Sequence, residues 1–175
     1  MQVAQLKRWL WGPLSGLGAS VALLTLALDQ ASKWWVLLVY RLRDETRTVP
    51  VTPFLNFVYV ENRGISYGLF QLDSDLGQWL LAGFAVIAVL AMAVWLAWSV
   101  TERLVATSLG LIMGGAVGNA IDRLALGGVA DFIQLHAFGF YWYVFNIADA
   151  AIVAGVCGLL YESFVSSRNR AAKSP

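Results

Sequence analysis

The chain has 175 residues, of which 59% are hydrophobic and 13% are charged. This composition is too apolar for a soluble globular domain and is typical of an integral membrane protein. The formal net charge is +1, so we predict no nucleic-acid partner. Cys157 is the only cysteine, which excludes a disulfide within the chain.

Four segments are long and apolar enough to cross a membrane as helices. They are predicted at residues 9–29, 76–101, 104–122 and 144–163. Two further segments, 30–75 and 123–143, connect them on the outer side. The predicted fold class is therefore an α-helical integral membrane protein with four transmembrane helices and a small β-containing extracytoplasmic loop region. We expect residues 1–175 to form a single membrane domain.

Orientation is predicted from the basic residues that flank the apolar segments, because such residues favour the cytoplasmic face. With four crossings, the two termini and the connection between the second and third helices share one face. Their basic residues are Lys7, Arg8, Arg103, Arg168, Arg170 and Lys173. Both termini are therefore predicted to be cytoplasmic.

The long outer connection contains a stretch, Thr48–Val60, that is rich in Val, Thr, Phe and Tyr and predicts short strands. Pro50 and Pro53 limit how far these strands pair. Phe138–Phe145 is dense in aromatic residues, as expected at a membrane interface.

Three aspartates, Asp29, Asp122 and Asp149, lie at or near the outer ends of predicted helices, and a fourth, Asp131, lies in a Gly-rich turn. We expect Asp149 somewhat more than one turn inside its helix. Ionisable residues at membrane depth are costly and mark function. Gly110, Gly114 and Gly118 form a small-residue stripe that predicts close packing of the third helix on the fourth.

Asp131 and Asp149 have no basic neighbour in sequence, which suits a pair of acids that share one proton. In an aspartic protease, the ionised acid takes a proton from water and the protonated acid polarises the scissile carbonyl. The alternative, that each carboxylate caps a helix or turn, has about equal weight on spacing alone. Asp122 has Arg123 beside it, and we expect the two to pair and Asp122 to be a scaffold residue.

Metal and serine chemistry have weaker sequence support. Asp122, Asp131, Asp149 and His136 are potential ligands, but the pattern contains no His or Cys pair at ligand spacing. No serine stands in a Gly-x-Ser-x-Gly setting. We predict no metal and no cofactor.

Five blocks, in order along the chain, resemble signal peptidase II, the bacterial lipoprotein signal peptidase family. The blocks are Asp29–Lys33, Asn62–Gly68, Gly114–Arg123, Val129–Phe132 and Phe145–Asp149. The resemblance implies an aspartic endopeptidase of the bacterial inner membrane, with its active site near the periplasmic face. Its substrate would be a diacylglyceryl-prolipoprotein, cut before the lipidated cysteine. Membrane lipid would be a further partner, and we expect a monomer.

By the matching blocks, the resemblance implies that Asp131 and Asp149 are catalytic. Residues that line or support the substrate site would be Asn62, Gly64, Asn119, Arg123 and Asn146, with Asp29, Lys33 and Asp122 holding the polar structure around them. One departure is the pair Ser66 and Tyr67, where the family more often has a small residue followed by Phe or Trp. We expect the outer connection to close over the acids.

Two other classes compete with this interpretation. A channel, transporter or scaffold would need polar residues through the full membrane thickness, and the inner halves of the predicted helices lack ionisable residues. A membrane hydrolase that acts on lipid head groups is compatible with the acids alone.

Overall fold

A computed structural model describes residues 11–42, 47–64 and 74–171, with side chains up to Asn169. Within these ranges four helices are long and apolar enough to cross a membrane, which confirms the predicted fold class. They are α1 (Ser15–Val39), α2 (Asp75–Ser99), α3 (Arg103–Leu126) and α4 (Ile147–Ala171). α3 is the central helix, since it packs against each of the other three.

The described strands form one antiparallel sheet at one end of the helix bundle. They are β1 (Val49–Thr52), β2 (Leu55–Asn62), β3 (Val129–Ala137) and β4 (Phe140–Tyr141), and they follow the order β1-β2-β3-β4. In the register of β2 with β3, Val60 lies opposite Asp131 and Asn62 lies opposite Val129. Asp131 is therefore on a paired strand, and its predicted place in a turn is wrong.

α1 continues ten residues past its predicted end at residue 29 and stops at Val39. The reason is that Asp29, Lys33 and Val36 recur at helical spacing and are all buried. Val36 joins a core with Leu42, Tyr59, Ala130 and Phe132, so the last turns of α1 support the sheet. Charged residues inside α1 are buried through pairing and do not mark its end.

α4 begins three residues later than predicted, at Ile147, because the preceding segment is extended. Phe145 exchanges backbone hydrogen bonds with Ile133 of β3, at 3.0 and 2.8 Å. Asp149 is therefore in the first turn of α4, closer to the helix start than the sequence predicted. α3 runs four residues past its predicted end and stops where Gly127 adopts φ +82°, a left-handed conformation that terminates helices.

The glycines of α3 face two different helices. The predicted close packing of α3 on α4 is confirmed, but the stripe that was expected to mediate it faces another helix, because Gly110, Gly114 and Gly118 lie against α1. α4 lies instead on the neighbouring face, where the backbone oxygen of Ala148 is 2.6 Å from the position that a Cβ at Gly115 would occupy. Small residues within one turn of α3 thus allow close approach of α1 and α4 on two neighbouring faces.

Gly115→Ala is expected to destabilise the fold by about 1–3 kcal/mol, because the added methyl group meets backbone and forces α4 outward. Thermal unfolding in detergent measures the change. Gly83→Ala on α2 is the matched control, since a Cβ there has nothing within 4 Å. Equal melting temperatures for the two variants would contradict the close approach of α3 and α4.

Candidate active site

Asp131 is buried, with 1% of its surface exposed, at the end of the sheet nearest the helices. Its two carboxylate oxygens accept hydrogen bonds from side-chain amides. Asn146 Nδ2 donates to Oδ1 at 2.7 Å, and Asn62 Nδ2 donates to Oδ2 at 3.1 Å. Both donors are side-chain amides, so these two bonds cap no helix or turn and do not support the capping alternative for Asp131.

Asp149 is half-buried in the first turn of α4. Asn119 Nδ2 donates to its Oδ1 at 2.9 Å, and the backbone N–H of Asn146 donates to its Oδ2 at 3.3 Å. The Asn146 side chain in turn accepts from the backbone N–H of Asp149 at 2.9 Å. This reciprocal pair is a helix cap, so Asp149 has the capping role that the alternative predicted.

Asn146 links the two acids, because its side chain bonds Asp131 and its backbone bonds Asp149. It is fully buried. Asn119 completes the link: its Oδ1 accepts from Asn146 Nδ2 and from Lys33 Nζ, both at 3.2 Å. Because the Asn119 side-chain oxygen accepts these two bonds, the side-chain amino group on its other side faces Asp149. The two acids that sequence singled out therefore share one hydrogen-bond network.

Lys33 lies behind this network as a buried cation between two buried carboxylates. Its Nζ is 2.8 Å from Asp29 Oδ2 and 2.7 Å from Asp122 Oδ2. The predicted pairing of Asp122 with Arg123 is wrong, since Asp122 pairs with Lys33. In a poorly solvated site, such charges are tolerated only when each is paired and hydrogen-bonded.

Each of these carboxylates also holds a backbone segment that carries one of the candidate catalytic acids. Asp29 Oδ1 accepts from the N–H of Ala148, next to Asp149, at 2.9 Å. Asp122 Oδ2 accepts from the N–H of Ala130, next to Asp131, at 3.2 Å. The positions of α4 and β3 at the site are thus tied to one buried ion cluster.

Arg123 lies on the other side of the site, where it holds the segment that follows β2. It donates to the carbonyl oxygens of Asn119 at 3.2 Å and Gly64 at 3.0 Å. Asn62 Oδ1 accepts from the N–H of Gly64 at 3.0 Å, so Gly64 is held from two sides. Ser66 and Tyr67, with the rest of the segment expected to close over the acids, lie outside the described residues.

Two glutamines were missed by the sequence reasoning. Gln30 Nε2 donates to Asp122 Oδ1 at 3.0 Å. Gln78 is buried in α2 and donates to the carbonyl oxygen of Arg63 at 2.7 Å, beside Gly64. The available signal for Gln78 was a polar residue within an otherwise apolar spanning helix.

The carboxyl group of Asp131 has its pKa raised from the usual 3.8 to about 7. Burial is the largest cause, and the nearby charge of Asp149 adds to it. The hydrogen bonds from Asn62 and Asn146 and the charge of Lys33 lower the pKa in part. Near neutral pH, Asp131 can therefore hold or release a proton, which suits acid–base chemistry.

Two apolar cavities meet at Asp149. One, of about 470 Å³, is lined by Asn62, Trp142, Tyr143 and Val153 among others. The second, of about 320 Å³, lies between α2, α3 and α4 and also reaches Asn62 and Asp149. Within the described ranges, no three His, Cys, Asp or Glu side chains are grouped so as to hold a metal ion.

The fold and this site define a multi-pass membrane protein with two carboxylates in a network of amides at one end of its helices. Residues 21–165 match the family model described as signal peptidase (SPase) II. The lipoprotein signal peptidase of Methylobacterium sp. (strain 4-46) is 54% identical over 160 residues, covering 91% of this chain and 96% of that protein. The lipoprotein signal peptidase of Beijerinckia indica is 50% identical over 150 residues, covering 86% and 89%.

The fold is also similar to those of solved bacterial membrane enzymes. One superimposes with a TM-score of 0.74 at 24% identity, covering 91% of this chain and 94% of that one. Another has a TM-score of 0.69 at 26% identity, covering 84% and 92%. The chain belongs to the signal peptidase II family of proteases.

Proposed function

We propose that the protein is an aspartic endopeptidase that removes the signal peptide from diacylglyceryl-modified prolipoproteins, with the cut before the lipidated cysteine. The observation that carries the proposal is the position of Asn146, which bonds both Asp131 and Asp149. The charge of Asp149 also raises the pKa of Asp131, which supports a pair of interacting acids in which Asp131 retains a proton near neutral pH.

In the proposed reaction, Asp149 is the ionised base and Asp131 is the protonated acid. Water attacks the scissile carbonyl carbon as the Asp149 carboxylate takes one of its protons. The Asp131 carboxyl group hydrogen-bonds the carbonyl oxygen, where negative charge develops. The tetrahedral intermediate then collapses, the C–N bond breaks, and the proton held by Asp149 passes to the leaving nitrogen. The products are a carboxylic acid and the free amine of the lipidated cysteine.

The amides give each acid its role. Asn119 and the Asn146 backbone N–H both donate to Asp149, which fixes the orientation of its carboxylate for the role of base. Asp131 is buried with a raised pKa, which favours its protonated form. Arg123 and Gln78 hold the Arg63–Gly64 backbone beside the acids, where an extended peptide substrate would be bound.

The apolar cavities support a lipid-modified substrate. Acyl chains lower their free energy by about 0.8 kcal/mol for each buried methylene, so they keep the modified cysteine at the membrane surface. Trp142 and Val153 line a cavity that ends at Asp149, so apolar surface and the acids are adjacent. A scissile bond beside the lipidated residue would then lie at the carboxylates.

We further propose that the protein is a monomer of the bacterial inner membrane, with both termini in the cytoplasm and the acids near the periplasmic face. Arg103 at the start of α3 and Arg168 near the end of α4 support this orientation. Both have exposed side chains at the end of the bundle opposite the acids, and basic residues favour the cytoplasmic side.

The proposal is tested with the purified protein in lipid vesicles and a prolipoprotein that carries the diacylglyceryl group. We expect cleavage that exposes the lipidated cysteine as the new N-terminus, identified by mass spectrometry, and no effect of a chelator. The matched substrate has Ser in place of that cysteine and cannot be lipidated. Equal cleavage of both substrates, a cut elsewhere, or loss of activity with chelator would overturn the proposal.

The pH dependence of kcat/KM follows from the raised pKa of Asp131. Below about pH 7 this group is protonated, and above it the proposed acid is lost. We therefore expect kcat/KM to fall about tenfold for each pH unit above about 7. The pH profile is measured with the lipidated substrate.

Asn62→Ala removes a hydrogen bond that lowers the pKa of Asp131, so the fall in kcat/KM should move to higher pH. Asn56→Ala is the control, because Asn56 is a buried asparagine on the same strand that bonds Gln134 instead. A shift in the control, or a shift to lower pH for Asn62→Ala, would contradict the role of Asp131.

A further inference from the structure

The hairpin between β3 and β4 ends in a strained, fully exposed aromatic residue. Phe138 has φ +52° and Gly139 has φ +82°, the left-handed conformations of a tight hairpin turn. Asn, Asp or Gly is favoured at the first of these positions, and a bulky side chain is strained there. The Phe138 side chain is nevertheless 105% exposed, so no contact with the part of the chain that the structure describes accounts for it.

Phe138 is part of a larger exposed surface, which we call the aromatic tip. It comprises Phe54, Phe138, Phe140, Tyr141 and Trp142, each more than half exposed. The N–H of His136 donates to the carbonyl oxygen of Phe54 at 3.0 Å, which joins the β1–β2 turn to the hairpin. Between residues 132 and 148 the chain has no Asp, Glu, Lys or Arg, and His136 is its single histidine.

The aromatic tip is continuous with the surface of α4 that faces lipid. Trp142 and Tyr143 line the same cavity as Val153 and Ala154. Val153 lies six residues into α4, about 9 Å along its axis from the helix start. The hairpin base therefore lies beside a spanning helix at membrane depth, and Val153 is itself exposed there.

We propose that the aromatic tip inserts into the head-group region of the bilayer and holds β3 against the membrane surface. Aromatic side chains with a polar edge are favoured in that layer, and uncharged apolar surface inserts there without desolvating a charge. Because β3 carries Asp131, insertion of the tip fixes the strand that bears this acid relative to the lipid surface.

Fluorescence depth measurement tests the insertion. Phe138→Cys in a Cys157→Ala background carries one environment-sensitive nitrobenzoxadiazole label, in vesicles of phosphatidylethanolamine and phosphatidylglycerol. We expect blue-shifted emission and strong quenching by lipids with a spin label near the head group. The comparison site is Thr48→Cys, which is exposed just before β1, away from the tip. Water-like, unquenched emission at residue 138, or equal quenching at both sites, would overturn the proposal.

A second variant separates insertion of the tip from insertion of the label itself. Phe140→Ser with Trp142→Ser, made in the labelled Phe138→Cys chain, removes two aromatic side chains and keeps the label. We expect quenching at residue 138 to fall at least twofold, with the melting temperature in detergent unchanged. Unchanged quenching would show that the label inserts by itself and would overturn the proposal.

Discussion

Asp131→Asn and Asp149→Asn are each expected to lower cleavage of the lipidated precursor by about 10³-fold or more. A positioned proton donor or acceptor accelerates a reaction by about this factor, and removing either acid also alters the acid that remains. Asparagine keeps the size of the side chain, so the cavities at the site are preserved. Cleavage is measured with the purified variants in vesicles at saturating lipidated substrate.

The two variants should differ in their residual activity. Asp149→Asn removes the proposed base, which the amide cannot replace. Asp131→Asn keeps a neutral hydrogen-bond donor near the carbonyl oxygen but removes the group whose pKa is about 7. Residual activity of Asp131→Asn should therefore lose the decline above about pH 7. A retained decline would assign that ionisation to another group.

Asp75→Asn is the matched control, with the same chemical change at an exposed acid in the first turn of α2. We expect Asp75→Asn to leave cleavage unchanged and to lower the free energy of unfolding by about 0.3–1 kcal/mol, the contribution of a negative charge at a helix N-terminus. In Asp131→Asn, the new amino group faces one of the two amides that donate to Asp131, which is expected to lower stability. The melting temperature of each variant is therefore compared with that of the unchanged protein. Turnover above a tenth of normal in either site variant would remove the two-acid mechanism.

The fold class was predictable because hydropathy over about 20 residues is a local property, and each of the four helices has it. The ends of the helices were less predictable. Asp29 was expected to end the first helix and Lys33 to lie in the connection after it, but both lie within the helix because they neutralise each other inside the protein. A hydropathy pattern counts such residues as polar and has no access to their partners.

The site was predictable to the extent that the matching blocks named its residues, and the structure brings Asn62, Asn119, Asn146, Asp131 and Asp149 into one network. Their catalytic and binding roles stay predictions. The ion-pair partner of Asp122 was not predictable, since it is Lys33, which lies 89 positions away in the sequence. The adjacent Arg123 was the nearer candidate by sequence, and only the packing of α1 on α3 decides between them.

Lys33→Met is expected to cause the largest loss of stability among single substitutions at the site. Lys33 is 3% exposed and is the cation between Asp29 and Asp122, which are also buried. Removing one partner of a buried ion pair costs about 3–5 kcal/mol, because the remaining charge stays desolvated and unpaired. Here two carboxylates lose their cation, and each also holds the backbone beside a candidate catalytic acid. Thermal or denaturant unfolding in detergent measures the loss.

The triple variant Lys33→Met, Asp29→Asn, Asp122→Asn should recover a large part of that stability. The amide oxygens can still accept from Ala148 and Ala130, and no unpaired charge remains. Arg103→Met, at an exposed cation at the start of α3, is the control and should change stability by less than about 0.5 kcal/mol. If Lys33→Met matches that control, or if the triple variant is less stable than Lys33→Met, the buried ion cluster does not hold α4 and β3 in place.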